Sequence, residues 1–228
     1  MPVTELALLR LLPGIEVSSP ALLANLSKAK DVMEGASGHK FQYYHCIEDP
    51  SLIFIIGAWA SVTFHMQEFI PSRANQEILS LLKDQITVHW MFHLDIDQTA
   101  TPLPLQGHAL AIGRHFIDKG EKDVFQSRFE ASRDELEGVI GGIGHVVGGY
   151  RMDKGFDPLL LSLPSREEGE REEFVLFTGW DSVEHHHRAL SAETEGFEES
   201  CQIRNYLGGA DIKHGSLLHV CVGEPARE

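Results

Sequence analysis

Two stretches of the sequence carry the same constellation. AWASVTFH and GWDSVEHH both contain W-x-S-V-x-x-H, set by Trp59, Ser61, Val62 and His65 and again by Trp180, Ser182, Val183 and His186. Histidine titrates near pH 6.5, so a modest change of environment equips it for proton abstraction. One reading of His65 and His186 is a pocket histidine acting as general base. The other is a helix histidine hydrogen-bonded near the core, fixing helix to strand. Trp59 and Trp180 begin the strand-to-helix turns, where core anchoring is the expected role.

His186 lies in the triplet His185-His186-His187. Consecutive helical residues point about 100° apart, so the three cannot converge on one ion. A helical metal pair needs the i, i+4 spacing of HExxH, which the sequence lacks. The spacing therefore predicts no metal site, with His185 and His187 on a solvated face. In VHWMFHLD, His89, Met91 and His93 share one strand face and Trp90 the other. His89 and His93 would stand about 13 Å apart at the strand rise, too far to chelate one ion unaided. By position His214 aligns with His89, whereas His219 falls on the opposite parity. Tyr43, Tyr44, Tyr150 and His115 are further candidates for a polar lining. The glycines of GVIGGIGHVVGG follow a helix and precede a strand, the reverse of a dinucleotide-binding turn. HGSLLH has no nucleophile elbow around its serine.

The elements that must position these residues come twice in one order. In the first half TELALLRLLP reads as a strand. Ser19 and Pro20 open a helix with Leu22, Leu23, Leu26, Val32 and Met33 at helical spacing. FQYYHCI and LIFIIGAWA follow, split by a hairpin turn over residues 48–51. Ser61 caps a second helical region that Pro71 interrupts, and QITVHWMFHLDID closes the half. In the second half HALAIGRHFI is a strand. A helix from about Glu121 to Ile140 turns Val124, Phe125, Phe129, Leu136 and Ile140 to its apolar side. HVVGGYRM, EFVLFTGW, a helix capped by Ser182, and IKHGSLLHVCV complete it. Gly38-His39 with Tyr44 matches Gly144-His145 with Tyr150. The charged SREEGEREE reads as a solvated loop. The predicted architecture is α+β: residues 1–97 and 107–228 as two ferredoxin-like βαββαβ repeats, joined by a proline-bearing linker over 98–106.

Composition narrows the function. The net charge of −15 over 228 residues argues against a nucleic-acid partner and against polybasic attachment to a membrane. The longest strongly apolar run, Leu52 to Ala60, is too short to span a bilayer as a helix. Cys46, Cys201 and Cys221 form no disulfide framework or zinc pattern, which suits a reduced, cytoplasmic compartment. The 13 histidines stand out.

A Trp followed by Ser-Val and a His on the next helix resembles the antibiotic-biosynthesis-monooxygenase family of dimeric α+β barrels, most clearly in EFVLFTGWDSVEHHHRAL. The resemblance implies two ferredoxin-like units packed sheet to sheet, here as an intramolecular pseudo-dimer. It implies a small-molecule enzyme, working without a cofactor, that oxygenates or cyclises an aromatic or polyketide-like substrate. His186 would be the base, then His65, with His89 or His214 assisting. Trp59, Trp180, Tyr44, Tyr150, His115 and Trp90 would line the substrate site. The expected partner is a hydrophobic small molecule, with a homodimer as a further level of assembly. Haem binding or haem degradation with one of these histidines as axial ligand, and a non-catalytic stress or ligand-binding role, are the alternatives.

Overall fold

Strand β1 (Val3–Leu11) sets the pattern of the whole molecule. Leu6 and Leu8 are buried on one side, and Val3, Ala7 and Leu9 are buried on the other. Successive strand side chains alternate, so a strand buried on both sides belongs to a sheet covered on both faces. The computed structural model describes residues 1–118, 120–140, 145–153, 172–189 and 207–220. Cys201, Cys221, Gly144 and most of SREEGEREE lie outside the described residues.

After β1 come α1 (Pro20–Ser37), β2 (Gln42–Cys46), β3 (Leu52–Trp59), a π-helical turn (Phe64–Phe69), α2 (Arg73–Leu82) and β4 (Ile86–Leu94). The second series is β5 (Ala109–Ile117), α3 (Lys122–Ile140), β6 (Val147–Tyr150), β7 (Glu172–Trp180), α4 (Val183–Ala189) and β8 (Leu207–Leu218). The strands form one antiparallel sheet in the order β4-β1-β3-β2-β8-β5-β7-β6. The two free edges meet. Leu94 bridges Arg151, Asp95 N–H donates to Tyr150 O at 3.0 Å, and Met152 N–H donates to His93 O at 2.8 Å. The sheet is thus closed into a barrel, which removes its edges. Within each series the strands keep the same relative order.

The barrel interior is filled by side chains from both series, among them Leu6, Tyr44, Phe54, Trp90, Phe92, Leu110 and Phe177. A buried ion cluster shares that face: Glu173 accepts from Arg114 Nε at 2.5 Å and from Arg151 Nη1 at 2.9 Å. The Arg114 guanidinium lies 4.7 Å from the Trp90 ring centre. On the outer face, α1 and α2 cover the first series through Leu22, Leu26, Met33, Ile78 and Leu82, and α3 covers the second through Phe125, Phe129 and Ile140. Val124, expected on that apolar side, is 40% exposed. Residues 98–106 are more than a composition-defined spacer. Leu103 is buried in the barrel interior, Leu105 packs beside it, and Gln98 Nε2 donates to Gly57 O at 2.8 Å.

Several local signals act as the sequence predicts. Pro71 separates the π-helical turn from α2, which Ser72 caps by accepting from Asn75 N–H at 3.2 Å. Gly38 ends α1 in a left-handed conformation at φ 74°. Ser19 differs: its side chain makes no capping bond, and only its carbonyl accepts, from Leu23 N–H at 3.0 Å. Pro20 suits the start, since its fixed φ is already helical and the N–H it lacks would have had no partner within the helix.

Candidate functional site

Trp59 ends β3, and the turn after it is fixed by Ser61, whose Oγ accepts from Phe64 N–H at 3.0 Å. His65 then falls in the π-helical turn, where Ile70 N–H reaches back to His65 O at 2.9 Å. That i to i+5 spacing is rare and inserts an extra residue in the turn. It leaves His65 buried against the sheet, its ring stacked on Trp59 with centres 4.2 Å apart. In the second series Ser182 Oγ accepts from His185 N–H at 3.1 Å, and His186 stacks on Trp180 at 4.5 Å. His186 is buried, His185 is half-buried, and His187 is exposed with its ring centre 5.7 Å from that of His214, so the triplet divides as its 100° spacing requires.

Each buried histidine opens a row. His65 Nδ1 lies 2.7 Å from His93 Nε2, and His93 Nδ1 lies 2.7 Å from Asp153 Oδ2. His93 also donates its backbone N–H to Asp153 Oδ1 at 2.9 Å. In the second row His186 Nδ1 lies 2.6 Å from His214 Nε2. His214 Nδ1 bonds to Glu48 Oε1, and its backbone N–H donates to Glu48 Oε2 at 2.9 Å. In both rows the two histidines are 28 residues apart. The carboxylates cross over: Asp153 follows β6 but serves β4, and Glu48 follows β2 but serves β8.

The carboxylates set the direction of the hydrogen bonds. An ionised carboxylate only accepts, so Asp153 takes the Nδ1–H of His93. With its hydrogen on Nδ1, the His93 ring offers Nε2 as acceptor, and His65 donates its own Nδ1–H to it. The same logic runs from Glu48 through His214 to His186. Both rows therefore end in an unprotonated Nε2, on His65 and on His186. Electrostatics agree. Burial, reinforced by the neighbouring histidine, pushes His65 and His186 each down to about 3, so both rings are neutral. Burial alone would raise Asp153 and Glu48. The bonds from the His93 ring and amide, and from the His214 amide and ring, outweigh it and hold both carboxyls below their ordinary range.

The two rows differ in one buried group. Glu5 sits opposite His93 in the β1–β4 register, and Ala111 holds the equivalent place opposite His214. Glu5 Oε2 accepts from Trp59 Nε1 at 2.5 Å and lies 3.8 Å from His65 Nδ1. Burial raises its pKa even though the Trp59 bond opposes this. In the second row Trp180 Nε1 donates instead to Thr178 Oγ1 at 2.7 Å.

The other sequence candidates scatter. His89 occupies a β-bulge: Leu8 pairs with Trp90 and Leu9 with Val88, leaving His89 unpaired. The position equivalent to His214 is accordingly His93. Tyr150 lies opposite Phe174 and Tyr44 opposite Phe54, one step out of the alignment read from sequence. Counting back along the paired strands from Trp180 and Trp59 gives His45 as the equivalent of Tyr150. Tyr44 and Trp90 face the barrel interior, away from both rows. Tyr150 and His115 pack with Phe174 and Phe125 under α3. His93, Asp153, Glu48 and Glu5 are the members of the rows that sequence reasoning missed as site residues. The repeated 28-residue spacing was the available signal for His93.

No protein-family model and no curated protein matches the chain. Solved structures do. An anthrone oxidase-like protein superposes with TM-score 0.61 at 10% identity, over 95% of this chain and 92% of that one. A candidate monooxygenase from Lactobacillus acidophilus gives 0.59 at 9% identity, over 96% and 94%. A haem-binding protein from Thermus thermophilus gives 0.53 at 8% identity, over 96% and 93%. At these identities the likeness is one of fold: an α+β barrel. The third structure overturns the expectation of a site without a cofactor, which rested on family resemblance. A barrel of this fold, matched over nearly its whole length, binds haem.

Proposed function

We propose that the chain is a small-molecule enzyme of oxidative chemistry in which the Nε2 lone pair of His186, and of His65 in the other row, is the general base. The observation that carries this reading is the Trp-stacked His–His–carboxylate row, which holds a neutral imidazole with one nitrogen committed and the lone pair on the other. Among the described residues, Nε2 of neither ring has a hydrogen-bond partner. Proton removal from a phenolic or activated C–H group of an aromatic substrate would give an electron-rich anion that combines with oxygen or closes a ring. Stacking on indole and the shared Nδ1 bond fix the ring's orientation, which is what positioning a general base demands.

The same reading takes the chain as a tandem pair of ferredoxin-like units of the antibiotic-biosynthesis-monooxygenase type, with boundaries 1–97, 98–106 and 107–228. The strand order common to both series and the repeated row support it. Oxygen uptake with a tricyclic anthrone is the test. The wild-type protein is expected to consume oxygen, and His186→Gln to lose about 10²–10⁴-fold of the rate. Uptake that His186→Gln and His65→Gln leave intact, singly and together, defeats the proposal.

A second reading, haem binding, is favoured by the donor set. An imidazole whose Nδ1–H is held by an anchored acceptor, with Nε2 unprotonated, is suited to be an axial ligand. His186 or His65 would hold the iron, and bound haem would supply one-electron and oxygen chemistry. Titration with haemin is expected to give a Soret band that His186→Gln or His65→Gln removes. Its absence in the wild type would end this reading.

A further inference from the structure

We propose that Glu48 and Asp153 are positioning residues that act across the molecule. Each sets the protonation pattern of the histidine row in the opposite series and serves as that row's proton exit to solvent. The inference deepens the proposed function, since it concerns the same two rows, but it stands on their geometry.

Glu48 meets His214 from 166 positions away in the chain, and Asp153 meets His93 from 60 positions away. Each carboxylate grips its histidine twice, at the ring Nδ1 and at the backbone amide. A two-point grip leaves the acceptor no freedom to turn, so it dictates which ring nitrogen carries hydrogen. The rows also run from inside to outside. His65 and His186 are buried, whereas the side chains of Asp153 and Glu48 are 22% and 34% exposed. A proton taken up at His186 Nε2 is balanced by transfer of the Nδ1 proton of His186 to His214 Nε2. The Nδ1 proton of His214 then passes to Glu48, where water can exchange it. No electrons move, and the reverse transfers return a proton to the product and restore the lone pair.

The backbone bond makes the amide variants informative. The backbone N–H of His214 lies nearer to Glu48 Oε2, at 2.9 Å, than to Oε1, at 3.1 Å, so in Glu48→Gln an NH₂ at the nearer place would set donor against donor; the side-chain oxygen takes that place and the NH₂ faces the ring. That group donates, so His214 must accept at Nδ1 and carry hydrogen at Nε2. His186 must then accept at Nδ1 and carry its own hydrogen at Nε2. The whole row inverts. Asp153→Asn inverts the row of His93 and His65 in the same way.

The experiment is ¹⁵N NMR of the full chain labelled at histidine, with the ring signals assigned by single substitutions. In the wild type near neutral pH, His65 and His186 are expected with protonated Nδ1 and bare Nε2. Glu48→Gln is expected to invert His186 and His214 and leave His65 and His93 unchanged. Asp153→Asn should give the converse, and Glu48→Asp should keep the wild-type pattern at His186. The undisturbed row in each variant reports that the chain is folded. A wild-type His186 carrying hydrogen on Nε2, an uninverted His186 in Glu48→Gln, or inversion of the row on the same side as the substitution overturns the proposal. These signals need no substrate. Failure of oxygen uptake alongside the crossed inversion would reject the enzyme reading and leave the rows as described.

Discussion

Glu5 is a carboxylic acid with almost no water around it. Among the described residues its one hydrogen bond to a side chain is the short contact from Trp59 Nε1. Since burial raises its pKa, the folded protein holds the Glu5 proton more tightly than the unfolded chain does. Stability from this group is complete below its ordinary value of 4.5 and is lost as pH rises through the folded value. Glu5→Gln keeps an acceptor for Trp59 without a charge to desolvate. The variant should melt higher than the wild type at pH 8, and the gap should shrink on acidification toward pH 4. Glu5→Ala should melt lower, because a buried indole N–H left unpaired costs about 1–3 kcal/mol. The histidines act with the opposite sign. Both have folded values near 3 against an ordinary 6.5, so acid favours the unfolded chain. Their contribution is complete above pH 6.5 and is lost progressively toward pH 3. Urea midpoints should fall between pH 7 and 5, and fall less in His186→Gln. At this scale the sequence revealed the two tryptophans and the two helix histidines, because W-x-S-V-x-x-H is local. It hid the carboxylates, which arrive from the other series and have no fixed spacing to the histidines they hold.

The elements hold the rows by a few close approaches. Gly57 is one of them. A Cβ there would stand 2.1 Å from Phe41 Cε1, and Phe41 packs edge-on against Trp59 with centres 5.4 Å apart. Gly57→Ala should cost about 1–3 kcal/mol by overpacking and disturb the Trp59–His65 stack. Phe41→Leu in the same chain should recover part of the loss, and a double-mutant cycle on denaturant midpoints measures the coupling. The bulge at His89 shows why strand parity misled. Alternation placed His89 and His93 on one face. One extra residue re-registers β4, so His93 faces His65 while His89 falls outside the ladder. Nothing in VHWMFHLD announces that insertion. The π-helical turn was equally silent, although Ser61 and Pro71 marked its limits correctly.

For the whole molecule, the order of strands was readable because hydrophobic runs, caps and turns came twice in one sequence. A barrel was implied by the family resemblance alone, because the hydrophobic pattern does not say which edges meet. The interior cluster draws on both series, with Leu6, Phe54 and Phe92 from the first and Leu110, Val175 and Phe177 from the second. Separated fragments 1–97 and 107–228 would each expose half of it. Neither fragment alone should give a cooperative melting transition, and their mixture should regain one by circular dichroism. Among the described residues no helix is long and apolar enough to cross a membrane.

The two seams of the barrel are unequal. Among the described residues β2 and β8 pair from Tyr43 with Leu218 to Cys46 with Gly215, whereas β4 and β6 meet through the bridge of Leu94 with Arg151, its flanking amides, and the bonds from His93 N–H to Asp153 and from Tyr150 N–H to Asp95. Heat or denaturant should therefore part the staves first between β4 and β6. The Met152 amide, bonded to His93 O, should exchange its hydrogen sooner than the Ile47 amide, which holds the matching bond to His214 O. Asp153 stands next to Met152, so the opening that frees one amide also slackens the hold on His93. A warming protein would pass through an interval with one histidine row disarmed and the other still set, and its two halves would age at different rates.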